Sequence, residues 1–451
     1  MSVVNKKSVF TSLNQQGPLA VRDSVALKQR INPQIKQWVQ NLKQSELNVT
    51  KYRALRRQIF EFLNIDGFEE IAALLTDQPA REACSLRACT LLSNMFGING
   101  TAQEIRFRVN EYGRTADSVI NSLKNKLFAP YASHVAITNE VEIINDPVDL
   151  LLMCFDDRYH KKARFEAQRK LSLMNLAGSI DQRERETDIE GKFAQFLTFL
   201  NNYVWSQDQK IGEHNIVYLL SNHSGPDFSC SKIKVVRKEE APDISLRRGQ
   251  KLTLLKRRRF PVKGIEIPIY VSIRKKPPEA KVLKLLRKNE RNPAVAVDDE
   301  LGLMAVLNST ADVKIFQKHL TQSADNADSF MILEDISDTL TGGHYQATST
   351  GSSSNTPMLK FFARLGGMRV EFIIHTNQSW VNYMYQRDVA HDEYEVKRIF
   401  DSGVAELLFP RNIYYLDHQS VKTNMIKLFR SQIEGSWQWT ENGSGRSGPH
   451  S

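Results

Sequence analysis

Five charged residues in the C-terminal half of the chain are spaced as a site for phosphate chemistry requires. Arg274 and Lys276 end an apolar, strand-like run, and Lys284 lies on the helical pattern that follows it. Asp299 belongs to an acidic turn before a second apolar run, and Glu371 is the one carboxylate on an alternating strand pattern. Cations hold a polyphosphate, one carboxylate can hold Mg²⁺, and another can align or deprotonate a hydroxyl. The pattern predicts a polyphosphate-nucleotide site in which Asp299 and Glu371 are the catalytic groups and the metal ligands.

The acidic positions also have less specific explanations. Asp298, Asp299 and Glu300 are consecutive, and three acids before a strand are also the ordinary polarity of a surface turn. Glu371 stands among apolar residues, where a carboxylate without a partner would be strongly unfavourable. We therefore expect Glu371 to have a partner, and we expect Asp299 and Glu371 to lie on neighbouring strands that face one cleft.

The elements that must position these residues fall into regions of different pattern. Residues 21–135 have the apolar spacing of helices, and residues 136–255 predict a helical connector with short strands. Residues 256–435 predict a mixed β-sheet flanked by helices. The polar ends, 1–20 and 436–451, predict a flexible and a disordered tail. The predicted fold class is α+β and multidomain, with an all-α N-terminal region.

The order of the charged residues resembles the synthetase domain of the RelA/SpoT family, the pyrophosphokinases that make guanosine tetra- and pentaphosphate. The first motif of that family reads Arg-x-Lys-x3-Ser-x3-Lys. Arg274, Lys276 and Lys284 fall at those spacings, with Ala280 in place of the serine. The resemblance covers about residues 260–400, and its specificity comes from the ordered set of motifs.

The later motifs of the family are matched in part. Asp299 keeps the acid of Asp-x-x-Gly-x-Arg, whose arginine is replaced by Met304. Tyr345 is the residue retained from Gly-Tyr-x-Ser-x-His, and Glu371 keeps the acid of Glu-x-Gln-Ile-Arg-Thr. His391 begins a match to a later His-x-x-Tyr on a helix.

The resemblance implies a nucleotidyltransferase-like fold, Mg²⁺ as cofactor, and ATP or GTP as substrate or ligand. Ile373 and His375 replace the Gln and Arg of the Glu371 motif, which removes contacts that the family uses for recognition. The residues that the resemblance implies for nucleotide binding are Arg274, Lys276, Lys284, Tyr345 and His391.

A second informative stretch, residues 81–128, has the spacing of a helix-turn-helix. A capping-box pair, Thr101 and Glu104, begins a short helix, and a turn is predicted at Glu111-Tyr-Gly-Arg114. The stretch resembles the region of bacterial sigma factors that reads promoter DNA. A plain three-helix packing unit is the alternative. The residues predicted to contact nucleic acid are Arg114, Ser118, Asn121 and Lys124.

The densest run of cations, Lys256, Arg257, Arg258 and Arg259, lies shortly before the strand-like run that ends at Arg274. Such a run can contact a phosphate backbone or a polyphosphate, because each residue can neutralise a phosphate. The alternative is a solvated loop face.

The bulk composition sets limits on these interpretations. The chain has 451 residues, too many for one ordinary core, and a formal net charge of +10, which favours an anionic partner. Four cysteines without zinc-like or disulfide-like spacing fit a reducing cytoplasm. The chain lacks an apolar run of membrane-spanning length. We therefore expect a cytoplasmic protein without a membrane partner.

Two functions of different class are consistent with these residues. The first is an enzyme that transfers pyrophosphate from ATP to a nucleotide or a nucleic-acid end. The second is a catalytically inactive nucleotide sensor or scaffold that binds DNA and regulates transcription. Retention of Asp299 and Glu371 favours the enzyme, whereas the replaced motif residues favour the binding protein.

Overall fold

The fold combines helices with one mixed sheet, as the α+β prediction requires. The computed structural model describes residue 40 and residues 44–206, 215–343 and 356–435. Its strands form an eight-stranded sheet with both parallel and antiparallel pairs. No helix in this part of the chain is long and apolar enough to cross a membrane.

The chain divides into two compact units. Unit 1 contains Met1–Gln182 and Asn412–Tyr414, and unit 2 contains Arg183–Arg411 and Tyr415–Ser451. Unit 1 is helical where it is described. Its helices are α1 (Glu46–Leu63), α2 (Ile71–Leu74), α3 (Gln78–Phe96), α4 (Ala102–Lys126), α5 (Ala132–Val135), α6 (Asn139–Ile143), α7 (Pro147–Phe155) and most of α8 (Lys161–Thr187), with 3-10 turns at Phe68–Glu70 and Ala129–Tyr131.

The helix-turn-helix predicted in residues 81–128 is not formed as expected. The capping box of Thr101 and Glu104 is confirmed at the start of α4. From there α4 continues without a break to Lys126, so the turn predicted at residues 111–114 is wrong.

Gly113, on which the predicted turn depended, has a different role. It is buried within α4, and a Cβ at this position would lie 2.5 Å from Oδ1 of Asn145. The glycine therefore allows Asn145 to approach the helix closely. Its backbone is helical, so the position does not need the wider conformational range of glycine. Asp117, on the same helix, accepts a hydrogen bond of 2.7 Å from Nζ of Lys170.

Unit 2 contains the sheet and the helices around it. The strands are β1 (Asn215–His223), β2 (Cys230–Arg237), β3 (Gln250–Val262), β4 (Ile265–Lys275), β5 (Leu301–Leu307), β6 (Ile332–Asp338), β7 (Leu359–Leu365) and β8 (Met368–Thr376). The helices are α9 (Ile189–Phe199) with a π-helical turn at Leu200–Val204, α10 (Pro278–Lys288), α11 (Ala294–Val297), α12 (Thr310–Asn326), α13 (Asn377–Tyr385), α14 (His391–Asp401), α15 (Val404–Leu408), α16 (Arg411–Tyr414, shared with unit 1) and α17 (His418–Gly435).

The strand order across the sheet is β2-β1-β3-β4-β5-β8-β7-β6. Only β5 and β8 pair in parallel; the other described pairs are antiparallel. β1, β2 and the first half of β3 lie within residues 136–255, for which the sequence predicts a helical connector with short strands. These strands extend the same sheet as β4 to β8. The sequence does not show this shared sheet, because strand pairing depends on residues that are far apart in the chain.

Apolar residues cover the two faces of the sheet unevenly. One face of β4, β5, β7 and β8 packs against α9, the π-helical turn and α12, in a core that includes Phe196, Phe316 and Phe372. On the opposite face, Trp380 and Val381 of α13 pack against residues of β1, β3 and β5. The charged residues predicted for phosphate chemistry lie on this second face or at the end of its strands.

Candidate functional site

Adjacent strands bring Arg274 and Glu371 to the same face of the sheet. Arg274 on β4 pairs with Gly302 on β5, and Gly302 pairs with Glu371 on β8. Residues in register share a face, so the side chain of Arg274 must cross β5 to reach Glu371. A Cβ on Gly302 would lie 3.0 Å from Nε of Arg274, which is closer than ordinary contact. The missing side chain at 302 therefore makes room for the arginine.

Glu371 is a buried carboxylate held by two cations. It is 5% exposed, and its oxygens lie 2.8 Å from Nη2 of Arg274 and 3.0 Å from Nζ of Lys360. Burial alone would raise the pKa of Glu371, but the charges of Lys276, Lys360 and Arg274 outweigh it and lower the pKa to about 2. The expectation that Glu371 has a partner is confirmed, and the side chain is ionised at neutral pH.

Asp299 has the same arrangement just before β5. Nζ of Lys276 lies 2.8 Å and Nζ of Lys284 lies 2.5 Å from Oδ1 of Asp299. Burial would raise the pKa of Asp299, but the two lysines lower it overall. For Lys284 the balance is reversed, because burial outweighs the nearby carboxylate and lowers its pKa to about 8.

A third carboxylate between two cations lies on α14. Glu395 accepts a hydrogen bond of 2.7 Å from Nη1 of Arg398, and its other oxygen is 3.6 Å from Nη1 of Arg287. Arg287 follows Lys284 by one turn of α10, and its side chain is largely buried. Burial lowers the pKa of Arg287 to about 10, so the guanidinium remains charged at neutral pH.

These groups form one connected set, which we call the cation cluster. The charge of Lys276 acts on the pKa of both Asp299 and Glu371, and Asp299 in turn raises the pKa of Arg287. The cation cluster consists of three carboxylates, each shared by two cations: Asp299 with Lys276 and Lys284, Glu371 with Arg274 and Lys360, and Glu395 with Arg287 and Arg398.

His391, at the start of α14, lies beside the cation cluster. Its Nδ1 is 2.7 Å from the hydroxyl of Tyr383. Burial of the ring lowers the pKa of His391, and the charge of Arg274 lowers it further. The carboxylates of Glu395 and Asp392 have the opposite effect but do not outweigh burial. The imidazole is therefore neutral at physiological pH. Of the predicted nucleotide-binding residues, Tyr345 lies outside the part of the chain that the structure describes.

The three consecutive acids before β5 face three different partners. Asp298 lies 3.8 Å from Nη2 of Arg183, Asp299 belongs to the cation cluster, and the buried Glu300 is 2.7 Å from Nζ of Lys281. Across the described residues, no three His, Cys, Asp or Glu side chains are grouped to hold a metal ion. Because Asp299 and Glu371 are each already neutralised by two cations, the cluster does not fit a resident Mg²⁺.

The residues of α4 that the sequence predicts to contact nucleic acid differ in exposure. Arg114 and Ser118 are exposed, and Arg114 is in an ion pair with Glu111. Asn121 and Lys124 are half-buried. The charge of Arg114 is thus already offset within the helix.

The predicted run from Lys256 to Arg259 is divided by strand alternation on β3. Arg257 is 4% exposed and donates a hydrogen bond of 3.0 Å to Oδ1 of Asn308. Lys256 and Arg258 face the opposite side of the sheet from Arg257 and Arg259. The residues therefore do not act as one loop cluster.

Sequence reasoning missed Lys360, Arg287, Glu395 and Arg398. Lys360 is a cation between apolar residues of a strand, a signal similar to the one that singled out Glu371, but the same strand also contains Arg364. Arg287 follows Lys284 at a spacing of three, which places both on one helix face. Glu395 and Arg398 have that spacing too, but nothing in the sequence connects α14 with α10.

Comparisons with protein-family models, with curated proteins and with solved structures found no match for this chain.

Proposed function

We propose that the cation cluster binds the polyphosphate group of a nucleotide. The observation that carries this proposal is the excess of charge: each of three carboxylates is shared by two cations. Internal pairing therefore neutralises half of the positive charge, and the rest is available to an anion.

The burial of these cations makes an anionic ligand favourable. Lys284 and Arg287 both have lowered pKa values because burial removes them from water. A bound phosphate would replace the lost solvation and would stabilise their charged forms. Arg274, whose side chain is 35% exposed, gives the cluster access to solvent.

The resemblance to the RelA/SpoT synthetases supports a nucleotide as the ligand. Arg274, Lys276 and Lys284 were selected from the spacing of that family, and they converge here around Asp299 and Glu371. ATP, GTP or a guanosine polyphosphate has the length of charge that several cations can share. Any Mg²⁺ in this proposal enters with the polyphosphate, because the described carboxylates are engaged by cations.

Pyrophosphate transfer is the second candidate function. The two buried carboxylates, Asp299 and Glu371, favour this function. A site that only binds an anion does not need negative side chains, unless these side chains orient another group. A pKa of about 2 makes Glu371 a poor general base at neutral pH. Glu371 would therefore align the attacking hydroxyl or Arg274. The alternative is a protein that binds the nucleotide and transfers nothing.

Calorimetry with ATP, GTP and guanosine tetraphosphate, each with Mg²⁺, tests the binding proposal. We expect polyphosphates to bind and AMP to bind far more weakly, because a single phosphate engages fewer cations. The double variant Lys276→Ala with Lys284→Ala should lose binding, whereas the control Lys318→Ala with Lys427→Ala should retain it. Equal affinity for AMP, or no heat with any polyphosphate, contradicts the proposal.

Labelled ATP distinguishes transfer from binding. Incubation with guanine nucleotides or RNA should yield AMP and a labelled acceptor if the site transfers pyrophosphate. Glu371→Gln should then stop AMP formation, while nucleotide affinity stays equal or rises because a negative charge has been removed. Binding without AMP formation assigns the site to a sensor or scaffold.

A further inference from the structure

The three strands β2, β1 and β3 at one end of the sheet contain cations and no carboxylates. Asn215–His223, Cys230–Arg237 and Gln250–Val262 include no Asp or Glu, although β2 and β3 are rich in Lys and Arg. This charge bias is separate from the cation cluster, where every cation shares a carboxylate. The strand register decides which of these cations lie on the same surface.

The strand register places several of these cations on one face. Lys234 pairs with Leu220, which pairs with Leu252, and Lys232 pairs with Asn222. In the neighbouring rows, Tyr218 pairs with Leu254 and with Val236, which is buried at the edge of this face, and Ile216 pairs with Lys256. We call this the open face, defined by Ile216, Tyr218, Leu220, Lys232, Lys234, Leu252, Leu254, Lys256 and Arg258.

Among the described residues, the apolar side chains of the open face belong to neither of the two cores that cover the sheet. Leu254 is 45% exposed, Lys232, Lys234 and Lys256 are exposed, and Tyr218 is partly exposed. The opposite face of the same strands is packed, since Val217, Leu219 and Leu255 lie in a core with Trp380. Arg258 marks the border, because its guanidinium lies 5.9 Å from the ring centre of Trp205, which belongs to the covered part.

The three lysines of the open face are not neutralised by carboxylates in the described part of the chain. Among the described residues, Lys232, Lys234 and Lys256 make no ion pair with a carboxylate. An apolar and aromatic centre with unpaired cations along it is complementary to a flexible polyanion that also carries flat rings.

We propose that the open face binds single-stranded nucleic acid. The lysines would contact phosphates, and Tyr218 with the leucines would support unstacked bases. A duplex fits less well, because its base faces are stacked on one another and are hidden from Tyr218. An acidic peptide would satisfy the lysines but offers no rings to Tyr218. The proposal does not depend on nucleotide binding by the cation cluster.

Fluorescence anisotropy of the full chain with labelled oligouridylate and oligothymidylate of about 15 nucleotides tests the proposal. We expect binding that weakens steeply between about 50 and 200 mM salt. The two oligonucleotides separate RNA from DNA as the source of the ligand. Absence of binding to both at low salt overturns the proposal.

Charge reversal tests whether the open face is the site. Lys232→Glu, Lys234→Glu and Lys256→Glu together should lower the slope of log affinity against log salt by about 2, since each contact with a single strand contributes about 0.7. The control is Lys51→Glu, Lys318→Glu and Lys427→Glu, three exposed lysines on helices, with the same change in net charge. An equal loss in the control shows that only net charge matters and overturns the assignment.

Tyr218 tests the stacking component. Tyr218→Ala should weaken oligonucleotide binding about tenfold, whereas Tyr218→Trp should retain it, because both rings can stack on a base. Polyglutamate should not compete at equal charge. If polyglutamate competes and Tyr218→Ala keeps its affinity, the open face is a site for acidic protein. If gel filtration shows that the lysine variant dissociates from a dimer, the open face is a self-association surface. Either result overturns the proposal.

Discussion

Unit 2 has cations at two places on one sheet, and their surroundings are opposite. In the cation cluster the positive charges are largely buried, held in fixed positions by Asp299, Glu371 and Glu395. On the open face, Lys232 and Lys256 are exposed, and no described carboxylate pairs with them. Fixed, desolvated cations suit a short ligand of defined geometry, whereas exposed flexible lysines suit a long ligand bound through many similar contacts.

The largest expected difference between the two places is in stability. Glu371→Gln leaves Arg274 and Lys360 without their shared charge, and removing one partner of a buried ion pair typically costs about 3–5 kcal/mol of unfolding free energy. Lys256→Gln on the open face should change the free energy of unfolding by less than about 0.5 kcal/mol. Urea unfolding followed by circular dichroism measures both, with Glu239→Gln as an exposed acidic control. A loss below about 1 kcal/mol for Glu371→Gln would contradict the buried-pair description.

The second prediction concerns acid. The pKa of Glu371 is lowered from 4.5 to about 2. Its contribution to the free energy of unfolding is therefore complete above pH 4.5 and is lost as the pH falls towards 2. The difference in unfolding free energy between the wild type and Glu371→Gln should therefore shrink by about 3 kcal/mol between about pH 6 and pH 2. Denaturant unfolding across this range measures the difference. A constant difference would mean that Glu371 titrates alike in the folded and unfolded chains.

The third prediction separates the ligands of the two places. Lys276→Ala should weaken nucleotide binding by about 2 kcal/mol, the scale of a hydrogen bond to a charged group, and leave oligonucleotide binding unchanged. Lys256→Ala should do the reverse, with a loss of about fivefold in oligonucleotide affinity near 0.1 M salt. Calorimetry and anisotropy on the same two variants complete the test. If both variants weaken both ligands, the two places belong to one site.

The smallest expected effect is the pH dependence of nucleotide binding. The pKa of Lys284 is lowered to about 8 by burial, so its charge is present below that pH and is lost above it. Nucleotide affinity should fall by up to about tenfold between about pH 7 and pH 9. Lys284→Arg keeps its charge over this range and should flatten the profile. A wild-type profile that is already flat would show that Lys284 does not contact the ligand.

Local patterns in the sequence account for much of the cation cluster. The strand with Arg274, the helix with Lys284, the acidic turn with Asp299 and the strand with Glu371 all occur where alternation and helical spacing predict them. Each of these elements is defined by residues close together in the chain. The partners Lys360 and Arg287 could be selected as charged residues, but their position beside Glu371 and Glu395 depends on the sheet order, which no local pattern contains.

The errors have the same physical origin. Gly113 looks like a turn residue, yet it serves the close approach of Asn145 to a continuous helix. Lys256 to Arg259 look like one cluster, yet strand alternation sends Arg257 and Arg258 to opposite faces. In both cases the residue type was identified correctly, and tertiary packing decided its role.

The parallel pairing of β5 with β8 has a consequence for how the protein folds. Glu371 meets Arg274 only after β8 has docked beside β5, and α12, β6 and β7 separate these two strands in the chain. Contacts between such distant segments form late and slowly. A nucleotide bound at the cluster would therefore recognise only the completed sheet and would shift the folding equilibrium towards it by mass action. Ligand concentration would then regulate the lifetime of the folded chain as well as the occupancy of its site.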